Sequence, residues 1–127
     1  MKPKDLTGSS LSFLGDAVFT LKVREYLLSR HYQNPNSLQK LSSTYNSAKG
    51  QRRIFERLSE GGFFSEEEMQ AFKRGRNDIG HVPKSSDLLS YEIASGLEAI
   101  CGYLYLTDSE RLDEFFRNVF EGGMEDE

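Results

Sequence analysis

The stretch YEIASGLEAICGYLYL, Tyr91–Leu106, decides the fold because it reads as a helix buried on all sides. At about 3.6 residues per turn, its large apolar residues and the preceding leucine share one side, namely Leu89, Ile93, Leu97, Ile100 and Leu104. The opposite side is small rather than polar, with Ala94, Ser95, Ala99 and Gly102. The pattern therefore predicts a central helix with other helices packed around it.

Two features of this helix point beyond packing. Gly96 and Gly102 each cost about 1 kcal/mol in a helix interior, so they predict another element that approaches closely. Glu98 places a carboxylate in an apolar surround, where an ionised group is costly unless it is paired or binds a metal. A structural salt bridge to a buried arginine and a functional role both explain Glu98, which is the first candidate site residue.

The length and composition predict a single domain without a membrane span. The chain has 127 residues, no run of eighteen apolar residues and no apolar core of a signal peptide in MKPKDLTGSS. We therefore expect a cytoplasmic protein. The single cysteine, Cys101, lies on the buried helix, where it has no disulfide partner and no zinc-ligand spacing.

The charge of −4 is unevenly distributed along the chain. Four of the acidic residues fall within positions 121–127, which we expect to be a disordered acidic tail after a domain at 1–120. Between Lys40 and Lys84, nine basic residues face six acidic ones. This distribution permits nucleic-acid binding without proving it.

The first helix is predicted to begin at Ser9 or Ser10 and to end near Ser29. Its core stripe is predicted to be Leu11, Leu14, Val18 and Leu21. Phe13 and Phe19 project beyond this stripe, and apolar width beyond the needs of one core favours a subunit contact.

Asp16 lies off the same stripe and directly follows Gly15. A single aspartate within a helix is usually exposed to solvent, which is the simpler explanation. The glycine before it, however, predicts close approach by a second helix. Asp16 is therefore the second candidate site residue.

The remaining segments also read as helices. Leu38, Leu41 and Tyr45 mark a short one, and Ser47–Glu60 carries Lys49, Arg52 and Arg53 on its outer face. A capping box at Ser65–Glu68 opens a helix that ends near Arg74, and Ser109–Phe120 forms the last helix. No strand pattern occurs, so the sequence predicts an all-α fold.

The segment RGRNDIGHVPKSSD, Arg74–Asp87, is the least helical part of the sequence. It combines glycines, a proline, a histidine and three bases, and Ser85 or Ser86 could cap the central helix. A basic loop that leads into a helix N-terminus can hold phosphates. An ordinary solvated loop is the alternative.

Two motifs on different helices resemble the ribonuclease III family. SFLGDAVF, Ser12–Phe19, resembles the signature that usually reads glutamate-phenylalanine-leucine-glycine-aspartate, and LEAICGYLYL, Leu97–Leu106, resembles the second motif. The helices over Leu38–Leu58 fit between them. RGRN at Arg74–Asn77 and GHVPKSSD at Gly80–Asp87 resemble the mini-ribonuclease III group, whose members are a catalytic domain without the separate RNA-binding domain.

The resemblance implies the helical ribonuclease III endonuclease fold and Mg²⁺-dependent cleavage of double-stranded RNA, with Mn²⁺ able to substitute. It makes Asp16 and Glu98 the catalytic residues and metal ligands, which agrees with the hard oxygen ligands that Mg²⁺ requires. It also implies a homodimer with Phe13 at the interface. The basic helix face and loop then give the expected RNA-binding residues, which are Lys49, Arg52, Arg53, Arg74, Arg76, Asn77 and Lys84.

The same resemblance implies precursor of 23S ribosomal RNA as the substrate and a large-subunit ribosomal protein as a possible helper. The chain departs from larger family members at three positions, where Ser9, Ser12 and Ser95 replace carboxylates. These serines favour one alternative, a catalytically inactive dimeric protein that binds double-stranded RNA. A helical adaptor without an RNA role is the second alternative.

Overall fold

The computed structural model describes residues 1–82, 84 and 87–122, and these form helices and connecting loops without a strand. A short 3₁₀ helix at Pro3–Asp5 precedes six α-helices. They are α1 (Gly8–Ser29), α2 (Pro35–Asn46), α3 (Ala48–Glu60), α4 (Glu66–Asn77), α5 (Leu88–Thr107) and α6 (Ser109–Glu121). The predicted all-α fold is confirmed. Within these described residues, no helix is both long enough and apolar enough to cross a membrane.

Helix α5 is the centre of the fold, as its pattern predicts. It packs against α1, α3, α4 and α6, and its middle is buried from Ala94 to Leu97 and from Ala99 to Gly102. Leu89 was predicted on the buried side, but its side chain is 52% exposed. It lies in the first turn of α5, and the continuously buried part of the helix begins further along the chain.

The glycines of α1 and α5 allow the two backbones to touch. A Cβ atom at Gly15 would overlap the backbone carbonyl of Glu98, and one at Gly102 would overlap that of Leu11. Gly96 faces the ring of Phe72 on α4 at a similarly short distance. These contacts explain why α5 tolerates residues that are unfavourable in a helix interior.

The buried face of α1 differs from the predicted stripe. It follows four-residue steps through Leu11, Gly15, Phe19, Val23 and Leu27, all of which are buried. Phe19 therefore belongs to the core, where its ring lies 5.6 Å from that of Phe116, and the prediction that it projects outward was wrong. Leu21 is 56% exposed instead. The prediction failed because it used only the large apolar residues. Helix α5 packs most closely at Gly15, which has no side chain.

Several helix ends also differ from their predicted positions. Helix α1 is capped by Thr7, whose hydroxyl accepts the Ser10 N–H at 3.0 Å, rather than by Ser9 or Ser10. Asp87 caps α5 by accepting the Ser90 N–H at 2.7 Å, whereas the predicted caps, Ser85 and Ser86, lie outside the described residues. A carboxylate accepts such a bond more strongly than a hydroxyl does, because the acceptor is charged.

Helix α4 opens with the predicted capping box of Ser65 and Glu68. The helix continues to Asn77. Arg74–Asn77, which the sequence analysis assigned to the least helical segment, therefore forms the last turn of α4. Helix α6 likewise includes Glu121, the residue at which the acidic tail was expected to begin. Residues 123–127 of that expected tail lie outside the described part of the chain.

Candidate active site

Asp16 and Glu98 line one cavity of about 230 Å³ between α1, α4 and α5. Asp16 is exposed, whereas Glu98 is half-buried. The wall of the cavity also contains small or hydroxylic residues, namely Ser9, Ser12, Gly75 and Ser95. The structure therefore brings together the two carboxylates that the sequence proposed as a pair.

The close crossing of α1 and α5 accounts for this convergence. Gly15 lies against the backbone carbonyl of Glu98, so the next residue, Asp16, leaves α1 beside the Glu98 side chain. A larger residue at position 15 would separate the helices and with them the two carboxylates. The glycine thus links the packing of the core to the geometry of the site.

Glu98 cannot easily carry its charge in this position. Burial, the negative charge of Asp16 and a hydrogen bond between the two carboxyl groups together raise the pKa of Glu98 from 4.5 to about 9, with burial the largest cause. A hydrogen bond from Gln51 acts weakly in the opposite sense. The pair therefore holds a proton at neutral pH unless a cation neutralises it.

The serines at the family's carboxylate positions do not all face the cavity as free hydroxyls. The Ser12 hydroxyl donates a buried hydrogen bond of 2.7 Å to the backbone carbonyl of Ser95, which ties α1 to α5. Among residues 1–82, 84 and 87–122, no group of three or more His, Cys, Asp or Glu side chains could hold a metal together. Two hard carboxylate oxygens next to an open cavity nevertheless fit Mg²⁺, which retains waters and binds phosphate oxygens.

Residues 9–109 match the Ribonuclease III domain family, a span that contains both carboxylates, all of α1 except its first residue, and helices α2 to α5. The chain belongs to the ribonuclease III family. It is 39% identical over 113 residues to the mini-ribonuclease 3 of Enterococcus faecalis, covering 87% of this chain and 86% of that protein. It is 38% identical over 118 residues to the mini-ribonuclease 3 of Staphylococcus aureus, covering 91% and 88% of the two chains.

A solved structure shares the fold of this chain. A crystal structure of a protein from Fusobacterium nucleatum superimposes with a TM-score of 0.84 at 33% identity, over 97% of this chain and 99% of that one. As a member of the ribonuclease III family, the chain is an endoribonuclease, a hydrolase of RNA phosphodiester bonds. This finding favours the enzyme over the inactive RNA-binding protein and over the adaptor.

The residues expected to bind RNA lie on two segments of this ribonuclease III fold: the outer face of α3, and the end of α4 together with the loop that follows it. Lys49 and Arg53 are exposed on α3, and Arg52 reaches the start of α5, where its Nη1 lies 3.2 Å from the Ser90 hydroxyl and 4.0 Å from Asp87. Lys84 is exposed three residues before Asp87. The α3 face and the loop therefore meet near the N-terminus of α5.

Arg74 makes contacts within the chain that the sequence did not predict. Its guanidinium donates hydrogen bonds to the backbone carbonyl oxygens of Pro3, at 3.2 Å, and Leu6. The side chain is half-buried and holds the N-terminal segment against α4. Arg76 and Asn77 are exposed on the last turn of the same helix, with the Arg76 guanidinium 5.7 Å from the centre of the Phe72 ring.

Three residues of the cavity region were missed by the sequence reasoning. Asp78 accepts the Ser9 N–H at 3.0 Å, and Tyr91 donates to the backbone carbonyl of His81 at 3.3 Å. Gln51 is 1% exposed and lies 3.5 Å from Glu98. Gln51 had a usable signal, because it shares a helix face with the inward-facing Ile54 and Leu58.

Phe13 lies between two cavities of this ribonuclease III-family chain. It borders the cavity of Asp16 and Glu98, and it also borders an apolar cavity of about 410 Å³ shared with Met1, Leu6, Leu14 and Ala17. The ring is 82% exposed. An aromatic side chain so exposed beside an apolar hollow is typical of a contact surface.

Proposed function

We propose that this endoribonuclease cuts double-stranded RNA with Mg²⁺ bound to Asp16 and Glu98, and that Mn²⁺ can replace Mg²⁺. The observation that carries the proposal is the pair of carboxylates in one cavity, where burial and the charge of Asp16 raise the pKa of Glu98. When bound, the metal would activate a water molecule and stabilise the leaving oxygen of the phosphodiester.

The two carboxylates have different positions and therefore different tasks. Glu98 is half-buried on the central helix α5, so it would supply the inner ligand of the site. Asp16 is exposed at the mouth of the cavity, where its second oxygen can orient a water or face the RNA backbone. With two protein ligands, most of an octahedral coordination shell is left to water and to RNA phosphate.

The proposed RNA surface joins α3 to the loop before α5. Lys49, Arg52 and Arg53 supply one part, and Arg76, Asn77 and Lys84 supply the other. Double-stranded RNA is recognised through phosphates and 2′-hydroxyls rather than base edges, so these residues would favour the shape of the duplex over its sequence. Arg74 is left out because its guanidinium is bound to backbone oxygens of the N-terminal segment.

We also propose a homodimer in which Phe13 inserts into the apolar cavity region of a second copy. The exposed ring and the cavity beside it are both on the α1 side of the molecule, so one symmetric contact could satisfy both. Two such sites, one per subunit, would act on the two strands of a duplex.

The biological setting forms the last part of the proposal. We take precursor of 23S ribosomal RNA as the substrate, a cytoplasmic location and help from a large-subunit ribosomal protein, as the resemblance to the mini-ribonuclease III group implies. A transcript of the precursor's terminal stem should be cut faster than an unrelated duplex of equal length. Equal cleavage rates would contradict the proposed preference for that substrate.

The decisive experiment compares cleavage of a plain RNA duplex with and without Mg²⁺. Asp16→Asn and Glu98→Gln should each abolish cleavage while the protein stays folded and still binds RNA, because each removes a metal-binding charge and preserves the shape. An inactive RNA-binding protein would instead bind the duplex and leave it intact under all conditions. Full activity of either variant at saturating Mg²⁺ would disprove the assignment.

A further inference from the structure

Gln51 is a buried amide next to the candidate active site. Its side chain on α3 is 1% exposed, and its Nε2 donates a hydrogen bond of 3.5 Å to Oε2 of Glu98. Burial of an amide without a hydrogen-bond partner is unfavourable. An apolar side chain would fill this core position at a lower cost, so the amide indicates a role toward Glu98.

The backbone that carries Gln51 is fixed from both sides. Ser47 caps α3 by accepting the Gly50 N–H at 3.1 Å, and a Cβ atom at Gly50 would overlap the carbonyl of Thr44. On the C-terminal side, Ile54 and Leu58 bury the same face of α3 in the core. The amide of Gln51 is therefore held at a set position before any ligand arrives.

Glu98, in contrast, has a flexible side chain and a repulsive neighbour. Its carboxylate can rotate about several bonds, and the negative charge of Asp16 acts on it. A donor fixed on Oε2 restricts that rotation. The other carboxylate oxygen then keeps a defined direction for a ligand.

We propose that Gln51 is a positioning residue that orients the Glu98 carboxylate for binding a divalent cation. This inference rests on the proposed function, because it assumes that Glu98 is a metal ligand. Residues that hydrogen-bond metal ligands typically change metal affinity or activity 10–100-fold when they are replaced. The hydrogen bond here is long, so we expect an effect of roughly 10-fold, at the lower end of that range.

The test measures Mn²⁺ binding to the full chain without RNA, by electron paramagnetic resonance of the free ion. Gln51→Met keeps the unbranched shape and removes the amide, and it should weaken Mn²⁺ binding roughly 10-fold. Gln51→Asn keeps the amide but is one methylene shorter, so it should show the same loss. Gln70→Met makes the same chemical change at an exposed position of α4 and should bind like the wild type.

Thermal unfolding and cleavage separate positioning from simple packing. Gln51→Met should keep or raise Tm, since an apolar residue of similar shape suits a buried position. Its kcat at saturating Mn²⁺ should approach the wild-type value, whereas the Mn²⁺ concentration for half-maximal rate should rise about as much as the dissociation constant. Mn²⁺ affinities within twofold of wild type in folded Gln51→Met and Gln51→Asn would overturn the inference.

That outcome is distinguishable from failure of the proposed function. If Asp16→Asn and Glu98→Gln lose Mn²⁺ and activity while both Gln51 variants behave like the wild type, the metal site stands and the role of Gln51 falls. If Glu98→Gln binds Mn²⁺ as tightly as the wild type, the metal site itself is wrong, and the role of Gln51 falls with it.

Discussion

The α-carbon of Gly15 lies so close to the backbone carbonyl of Glu98 that no side chain fits between α1 and α5 at this point. The same contact places Asp16 beside the Glu98 carboxyl group in one cavity. Core packing and site geometry therefore depend on one another in this endoribonuclease. A change that separates the helices should disturb both.

Gly15→Ala should destabilise the protein by about 1–3 kcal/mol or more, because its Cβ would overlap a backbone atom that cannot move independently. Gly61→Ala is the matched control, since a Cβ there would lie 3.6 Å from the nearest carbonyl oxygen. The control should unfold at or slightly above the wild-type denaturant concentration. A Gly15→Ala variant as stable as the wild type would contradict the close approach of the helices.

The raised pKa of Glu98 predicts a pH-dependent stability in the absence of metal. Folding raises this pKa from 4.5 to about 9, so between these values the native state binds a proton that the unfolded state lacks. The stabilisation from this group is therefore complete below pH 4.5 and declines as the pH rises toward 9, by up to about 1.4 kcal/mol per pH unit.

Glu98→Gln should remove this decline, because glutamine keeps the shape of the neutral acid at every pH. In EDTA, the free energy of unfolding of the variant should exceed that of the wild type more at pH 8 than at pH 5. Glu110→Gln, an exposed change on α6, serves as the control and should follow the wild type at both values. An identical pH dependence of wild type and Glu98→Gln would show that Glu98 is not perturbed.

How far the sequence predicts the fold is clear from α5 and α1. The pattern of α5 was sufficient to predict its central position, because the residues in the middle of the helix are either large and apolar or small. The pattern of α1 was misleading, because the closest packing occurs at Gly15, which contributes no apolar side chain. The sequence therefore placed Leu21 in the core and Phe19 outside it, whereas the structure buries Phe19 and exposes Leu21.

The candidate site shows a similar division. The two carboxylates could be paired from the sequence because glycines flank both of them and two motifs carry them. The hydrogen bonds of Arg74 and Gln51 could not be predicted, since each joins segments far apart in the chain. Their partners depend on how α3 and α4 dock, which no local pattern specifies.

Phe13→Ala should shift the protein from dimer to monomer at low concentration, as measured by analytical ultracentrifugation. The ring is 82% exposed in a single chain, so its loss should affect association far more than the fold of one subunit. Tm should fall and should depend less on protein concentration.

Leu28→Ala is a suitable control for the Phe13 experiment. Leu28 is similarly apolar and 54% exposed on the same helix, but lies roughly 22 Å further along its axis. This variant should sediment like the wild type. A wild-type protein that sediments as a monomer at all concentrations would remove the two-site model.

The salt dependence of RNA binding tests the two halves of the proposed RNA surface. Each phosphate contact contributes roughly 0.7–0.9 to the slope of log affinity against log salt, extrapolating from DNA to RNA. Arg76→Ala and Lys84→Ala should each flatten this slope by about one unit and slow cleavage. Arg53→Ala should have a smaller effect, because the neighbouring Arg52 can partly replace it.

Arg74→Ala is the informative control for this series, since it removes a charge from the same helix turn as Arg76. Its guanidinium is occupied by the carbonyl oxygens of Pro3 and Leu6, so its loss should lower Tm and leave the salt slope unchanged. The opposite pattern, with a flatter slope for Arg74→Ala and unchanged slopes for Arg76→Ala and Lys84→Ala, would exclude the loop as an RNA contact. Phosphate binding would then have to come from Arg74 and the α3 face.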